Sequence, residues 1–326
     1  MLNLAAASLL MFSSVPGRIT CVFHDGSARL CCREHGPITV KGLYINLERC
    51  SQRRDALLAG LDAAGLNAAA YERFPALEPV GAEPQLTRGL KTKGELGIWM
   101  SLVEALKGVA SRDYEPVVHM LEDDMAFAPM AGPVITKVAH MLVNEPSFAE
   151  IDVIFLDYFM DRKLFASIAS ASERLGGNAY EFLPADAHYY ACLGSWLIKK
   201  SSAAYLSGIL ERILATANRL IPVDLALRTL LQIGALKGLL LVPPVCAPSW
   251  ESDDHTTIQL DLKDGLRSSQ RAHLLFRLLA SGLQSPRWCA DRLSALYGID
   301  HGLDDDSPVD AYLALHDSIA SRLATF

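Results

Sequence analysis

Hydrophobic residues fall into short unbroken runs separated by stretches with helical spacing, a pattern of buried strands alternating with helices. Val40 to Asn46 is one such run, and after it Ser51 caps a helix that Leu57, Leu58 and Leu61 carry from Gln52 to a stop at Gly65. Thr92-Lys93-Gly94-Glu95 has the form of a capping box opening a second helix through Trp99, Val103 and Leu106. Val117 to Leu121, entered through Pro116, and Asp152 to Leu156 read as further buried strands, with Phe127 and Pro129 marking a turn after the first. Leu239 to Pro244 is strand-like, and Leu225, Ala226, Leu227 and Leu230 form an apolar helix behind Pro222. The alternation predicts an α/β, Rossmann-like core over residues 39–262. Ahead of it, residues 1–38 read as a packed helix over Met1 to Val15, without the charged start of an export signal, and a hairpin. The hairpin pairs Ile19–Phe23 with Ala28–Cys32 around Asp25-Gly26. Residues 263–326 form a helical C-terminal region.

With 326 residues, 51% of them hydrophobic and 21% charged, the chain is long and apolar enough for a large folded core. A net charge of −7 argues against a nucleic-acid partner, which needs a basic footprint. The cysteines, seven in all and none in C-x-x-C spacing, give no structural zinc site. Beyond Leu262, arginines interleave with Leu274, Leu275, Phe276, Leu278 and Trp288. Residues 263–292 therefore read either as peripheral contact with an anionic membrane surface or as a helix packed on the core with solvated arginines. Asp304-Asp305-Asp306 precedes Ser307-Pro308 and reads as a helix start, not a metal site.

The strand Val117–Leu121 ends on Glu122-Asp123-Asp124, which puts three carboxylates at the carboxyl edge where open α/β sheets bind ligands. Adjacent acids repel unless a cation compensates them, and hard oxygen ligands suit Mn²⁺ or Mg²⁺ holding a diphosphate. The alternative is a solvated turn in which Asp124 caps the next element of the chain.

Around this triplet stand, in order, Leu43-Tyr44-Ile45-Asn46-Leu47-Glu48-Arg49, Arg53-Arg54, Phe74-Pro75-Ala76, Gly94-Glu95-Leu96-Gly97 with Ser101, then Leu121-Glu122-Asp123-Asp124, Gly194 to Ala203 and Pro222-Val223-Asp224. The series resembles glycosyltransferase family 25, the lipooligosaccharide galactosyltransferase type, over roughly residues 40 to 260. Two positions depart: the family's histidine after the serine is Leu102, and its cysteine is Ile98.

The resemblance implies a GT-A-like fold and inverting, metal-assisted transfer of galactose from UDP-galactose to a lipopolysaccharide or related glycan, in the cytoplasm or peripherally at the inner face of the membrane. Donor contacts would come from Asn46, Arg49, Arg53, Arg54, Glu95 and Asp123. Arg53 and Arg54 have an alternative reading as exposed helix residues with neighbours pairing with Asp55 or Glu48, and Glu95 as a helix cap. Asp124 and Glu122 would bind the metal, with His255 from a late loop completing the shell; an exposed loop histidine is the alternative. Trp250 would stack on a sugar or merely pack. Asp224 is the candidate general base, held ionised at a helix start, where capping alone would also explain it. Leu102 keeps open a catalytically weak member acting as a glycan- or nucleotide-binding scaffold, and clustered acids would also serve a metal-dependent phosphoester hydrolase.

Overall fold

The computed structural model describes residues 19–22, 39–79, 88–90, 92–111, 116–160, 164–166, 168, 179–253, 264–298 and the isolated positions 310, 313, 314 and 317. In chain order the strands are β1 (Ile19–Val22), β2 (Lys41–Asn46), β3 (Tyr71–Pro75), β4 (Val117–Glu122), β5 (Met125–Phe127), β6 (Val153–Phe155), β7 (Ala179–Pro184), β8 (Ser195–Lys199), β9 (Gly238–Val242) and β10 (Cys246–Pro248). The helices are α1 (Ser51–Ala63), α2 (Lys93–Ser111), α3 (Ala131–Asn144), α4 (Ala185–His188), α5 (Lys200–Thr216), α6 (Val223–Gln232), α7 (Trp250–Asp253), α8 (Asp264–Ala280) and α9 (Pro286–Tyr297).

Eight strands form one mixed sheet in the order β1-β7-β9-β6-β8-β4-β2-β3. The pairs β2/β3, β2/β4 and β6/β9 are parallel, whereas β7 and β8 run against their neighbours. The chain is thus an α/β protein with a mixed sheet flanked by helices, compatible with a Rossmann-like fold. Alternation along the strands serves two cores: Val118 and Met120 of β4 face one, with Trp99, Leu102 and Leu206, while Val117 and Leu121 face the other, with Leu57, Leu61 and Ile135.

Most predicted elements are present, with physical reasons for the differences. The capping box exists: the Glu95 amide donates to Thr92 Oγ1 at 3.1 Å and the Thr92 amide to Glu95 Oε2 at 3.4 Å. Ser51 is not a cap; it is the first helical residue, after Cys50, which makes no side-chain cap bond. Phe127 ends β5, which pairs with β10, and the predicted turn falls at Pro129-Met130, while an earlier turn at Asp123-Asp124 separates β4 from β5. Asp124 therefore caps no helix. Ile19–Val22 is a strand, but it joins the main sheet beside β7. Its expected hairpin partner, Ala28–Cys32, lies outside the described residues, as do Met1 to Val15 and, apart from Asp310, the helix start at residues 304–310.

The C-terminal helices share the main core. Leu275, Phe276, Cys289, Ala290 and Leu293 pack into it, and Leu274 and Leu278 pack with Ala247. The apolar side chains that made residues 263–292 look amphipathic are thus covered by protein, and Arg277, predicted as solvated, is buried. No described helix is long and apolar enough to cross a membrane.

Candidate functional site

The register brings the chemistry to one edge. Ile45 lies opposite Glu122, Leu121 opposite Ser195 and Phe155 opposite Trp196, so the carboxyl ends of β2, β4 and β6 meet the start of antiparallel β8. Asn46, Glu122-Asp123-Asp124, Asp157 and the Cys192–Gly194 segment consequently share this edge.

Asp123 is buried and engaged through both oxygens. Asn46 Nδ2 donates to its Oδ2 at 2.6 Å, and the Arg53 guanidinium pairs with its Oδ1. Arg53 also lies 3.4 Å from Asp124 Oδ2. Asn46 is itself held, donating to the Cys50 carbonyl at 3.0 Å and accepting from Arg73 Nε at 3.0 Å. Asp124 Oδ1 is different: it is buried, and among the described residues it has no hydrogen-bond partner.

Burial and mutual repulsion show in the titration of the triplet. Glu122 is raised to about 8 by desolvation and then by Asp124 and Asp123, against the pull of Arg53 and Arg277. Desolvation raises Asp123 to about 6 even with Arg53 and Asn46 beside it. At neutral pH Glu122 therefore holds a proton in the absence of a further cation.

A second polar group adjoins the triplet. Asp157, fully buried two residues after β6, receives Arg277 Nε on Oδ1 at 2.8 Å and Arg277 Nη2 on Oδ2. Cys192 Sγ donates to Asp157 Oδ2 at 3.2 Å and lies 2.9 Å from Arg277 Nη2. Burial pushes the Cys192 thiol well above its usual range. Cys192 also has a φ of 91°, a left-handed backbone that a non-glycine residue adopts only when its surroundings enforce it. At Gly194 a β-carbon would stand 2.7 Å from Asp157 Oδ2 and 2.6 Å from Met125 Sδ, so only glycine lets β8 start this close.

Asp224, in the first turn of α6, connects with this group. Its Oδ2 accepts from the Cys192 amide at 3.4 Å and its Oδ1 from the Leu225 amide at 2.8 Å. The sequence predicts a carboxylate held ionised there by the helix start; burial raises its pKa, with those amide bonds opposing and Glu95 adding to the shift. Burial outweighs the helix start.

The other candidates distribute differently. Glu95 forms its capping box and is close enough to Asp224 to act on its charge. Arg49 pairs with Glu78, both exposed, and Arg54 lies 3.5 Å from Asp55, so neither is among the groups bonded to the triplet. Trp250 packs edge-on to Trp288 with Arg271 over its ring. His255 lies outside the described residues. Leu102 is 2% exposed, packed in the core. Among the described residues, no three His, Cys, Asp or Glu side chains group so as to hold a metal ion by themselves.

A cleft of about 300 Å³ opens beside the triplet, between α1 and β5. Arg53, Asp123 and Asp124 form its charged end, and Leu57, Met125 and Phe127 line the rest. The arrangement offers, on one edge, a carboxylate oxygen without a donor, two guanidinium groups and a second, separately held carboxylate.

Sequence reading missed Asp157, Cys192 and Arg277. The signal for Asp157 was present, since it closes the apolar run Val153–Leu156 as Glu122 closes β4. No protein-family model and no curated protein matches the chain.

Proposed function

We propose that the protein is a sugar-nucleotide-dependent glycosyltransferase with a GT-A-like core, moving a sugar, galactose from UDP-galactose by family resemblance, onto a glycan acceptor such as lipopolysaccharide. The observation that carries the reading is the carboxyl edge itself: an acidic turn with a donor-less Asp124 oxygen, next to a cleft and to a half-buried Asp224 on a neighbouring element.

The donor set fits a hard divalent cation in a limited way. Asp123 has both oxygens engaged and Asp124 Oδ1 has no donor among the described residues, so Asp124 is the residue that would hold Mn²⁺ or Mg²⁺, with Glu122 able to join once the cation offsets the repulsion that raises its pKa. Such ions often take one or two carboxylates and complete their shell with water and substrate phosphates. Bound there, the ion would supply positive charge for the departing diphosphate. Asn46 and Arg53 act by fixing Asp123, which holds the turn that presents Asp124.

Asp224 is the base of the proposed reaction. Its raised pKa makes it a stronger base than a solvent-exposed aspartate, closer in strength to what proton abstraction at neutral pH needs. It would take the proton of the acceptor hydroxyl as that oxygen attacks the anomeric carbon, and the sugar–phosphate bond breaks with its electrons leaving on the diphosphate.

The test is release of UDP from UDP-galactose with Mn²⁺ and a glycan acceptor. Wild-type release that falls at least about a hundredfold in Asp224→Asn, with donor binding intact, supports the assignment. Turnover of a phosphoester without acceptor would point to a hydrolase; donor or glycan binding with no release across a panel of acceptors would point to a scaffold.

A further inference from the structure

The two guanidinium groups at the acidic edge are used differently. Arg53 lies against Asp123 and Asp124, with its Nε buried and unpartnered among the described residues. Arg277 gives Nε and Nη2 to Asp157, with Cys192 Sγ also against Nη2. Its Nη1 makes no hydrogen bond among the described residues, yet it is not one of the buried atoms left without a partner, so it reaches the accessible surface. The rest of the side chain is enclosed, with 10% of it exposed. The Glu122 amide donates to the Gly194 carbonyl at 2.9 Å, and a β-carbon at Gly194 would stand 2.7 Å from Asp157 Oδ2 and 2.6 Å from Met125 Sδ, which places the guanidinium held by Asp157 beside the acidic turn.

Fastening α8 does not require this pair. Leu275 and Phe276 already pack the helix into the core, and a buried ion pair adds little stability over well-packed apolar residues. What the pair does provide is orientation. Asp157 holds the guanidinium fork by two of its nitrogens, and the strained Cys192 closes over it, so the remaining N–H donors are fixed before any ligand arrives.

We infer that Arg277 is a diphosphate-binding residue: Nη1, presented beside Asp124 by the Asp157 carboxylate, receives an oxygen of the nucleoside diphosphate. The inference rests on the glycosyltransferase reading and names a substrate contact within it. As the sugar–phosphate bond breaks, its electron pair stays on the phosphate oxygen; Arg277 donates hydrogen bonds to the diphosphate and transfers no proton. A planar fork with donors left over suits a phosphate better than an ammonium would.

Calorimetric titration of the full chain with UDP and with uridine, in the presence of Mg²⁺, tests this in wild type, Arg277→Met and Arg277→Lys, with thermal unfolding of each. Arg277→Met is expected to weaken UDP by about ten- to a hundredfold, the equivalent of a charge-assisted hydrogen bond, and to leave uridine unchanged. Arg277→Lys is expected to recover part of the loss. A cooperatively folded Arg277→Met that binds UDP as wild type does overturns the inference. Should that variant not fold, Arg277→Lys decides: a loss selective for UDP over uridine supports the inference, and equal affinity overturns it. If wild type binds neither UDP nor uridine, the donor reading fails separately. Inorganic pyrophosphate then tests Arg277 alone, where binding lost in the variants supports a diphosphate contact, and absent or unaltered binding overturns it.

Discussion

Asn46 Nδ2 donates to Asp123 Oδ2 at 2.6 Å across 77 residues of sequence, tying the carboxyl end of β2 to the turn after the neighbouring parallel strand β4. The bond fixes the turn and, together with Arg53, keeps a buried carboxylate satisfied. Asn46→Ala leaves one Asp123 oxygen without its donor, which costs about 1–3 kcal/mol in a buried setting. Chemical denaturation should show a lower midpoint with an unchanged slope. A variant as stable as wild type would mean that Arg53 alone holds the turn.

Asp124→Asn should behave in the opposite way toward stability. Asp124 repels Glu122, its Oδ1 accepts nothing among the described residues, and Arg53, 3.4 Å from its Oδ2, keeps its pairing with Asp123, so removing the charge trades one ion pair for relief of the cluster without opening a cavity. The melting temperature is expected to hold or rise while metal-dependent UDP release falls at least about a hundredfold. Full activity in the variant would remove Asp124 as the metal-holding residue.

How much of the site was legible in the sequence depended on whether its residues were contiguous. Glu122-Asp123-Asp124 closes an apolar run, so sequence alone could place it at a strand end, and Thr92–Glu95 was readable because a capping box is a local pattern. Arg53 and Arg54 were indistinguishable in sequence; one step of helix phase sends the first to the acids and the second to Asp55. Arg277 reads as solvated because basic residues in an amphipathic helix usually are. Its immediate neighbours Phe276 and Leu278 are both buried, and its acceptor Asp157 is 120 residues away, a pairing that only the fold supplies. The left-handed conformation of Cys192 had no sequence signal at all, since the residue is not glycine.

Leu102, where the family pattern has histidine, is a core residue packed with Trp99, Val103 and Leu106. Leu102→His should therefore not raise activity. It buries an imidazole in an apolar setting and is expected to cost about 2–4 kcal/mol, read as a lower denaturation midpoint. A stable variant with faster UDP release would instead mean that the position faces the substrate.

His119 gives the sharpest pH prediction. Its ring is fully buried, with Nδ1 2.9 Å from Tyr71 Oη of β3 and Nε2 2.8 Å from Ser195 Oγ of β8, and burial lowers its pKa to about 3. In the unfolded chain the imidazole titrates near 6.5. Between these values the unfolded state binds the extra proton, so this contribution is complete above about 6.5 and is lost as pH falls, by up to about 1.4 kcal/mol per unit. Glu122 and Asp123 act in the other direction: their folded values are raised, so their contribution is full below the unfolded carboxylate range and is lost as pH rises through about 6 and 8. The two trends overlap in the total stability, but His119→Gln removes only the first. Its stability deficit against wild type should be largest at pH 7 and above and shrink steadily toward pH 4. A deficit that stays constant from pH 7 to pH 4 would show that His119 takes up its proton equally in the folded and unfolded chain.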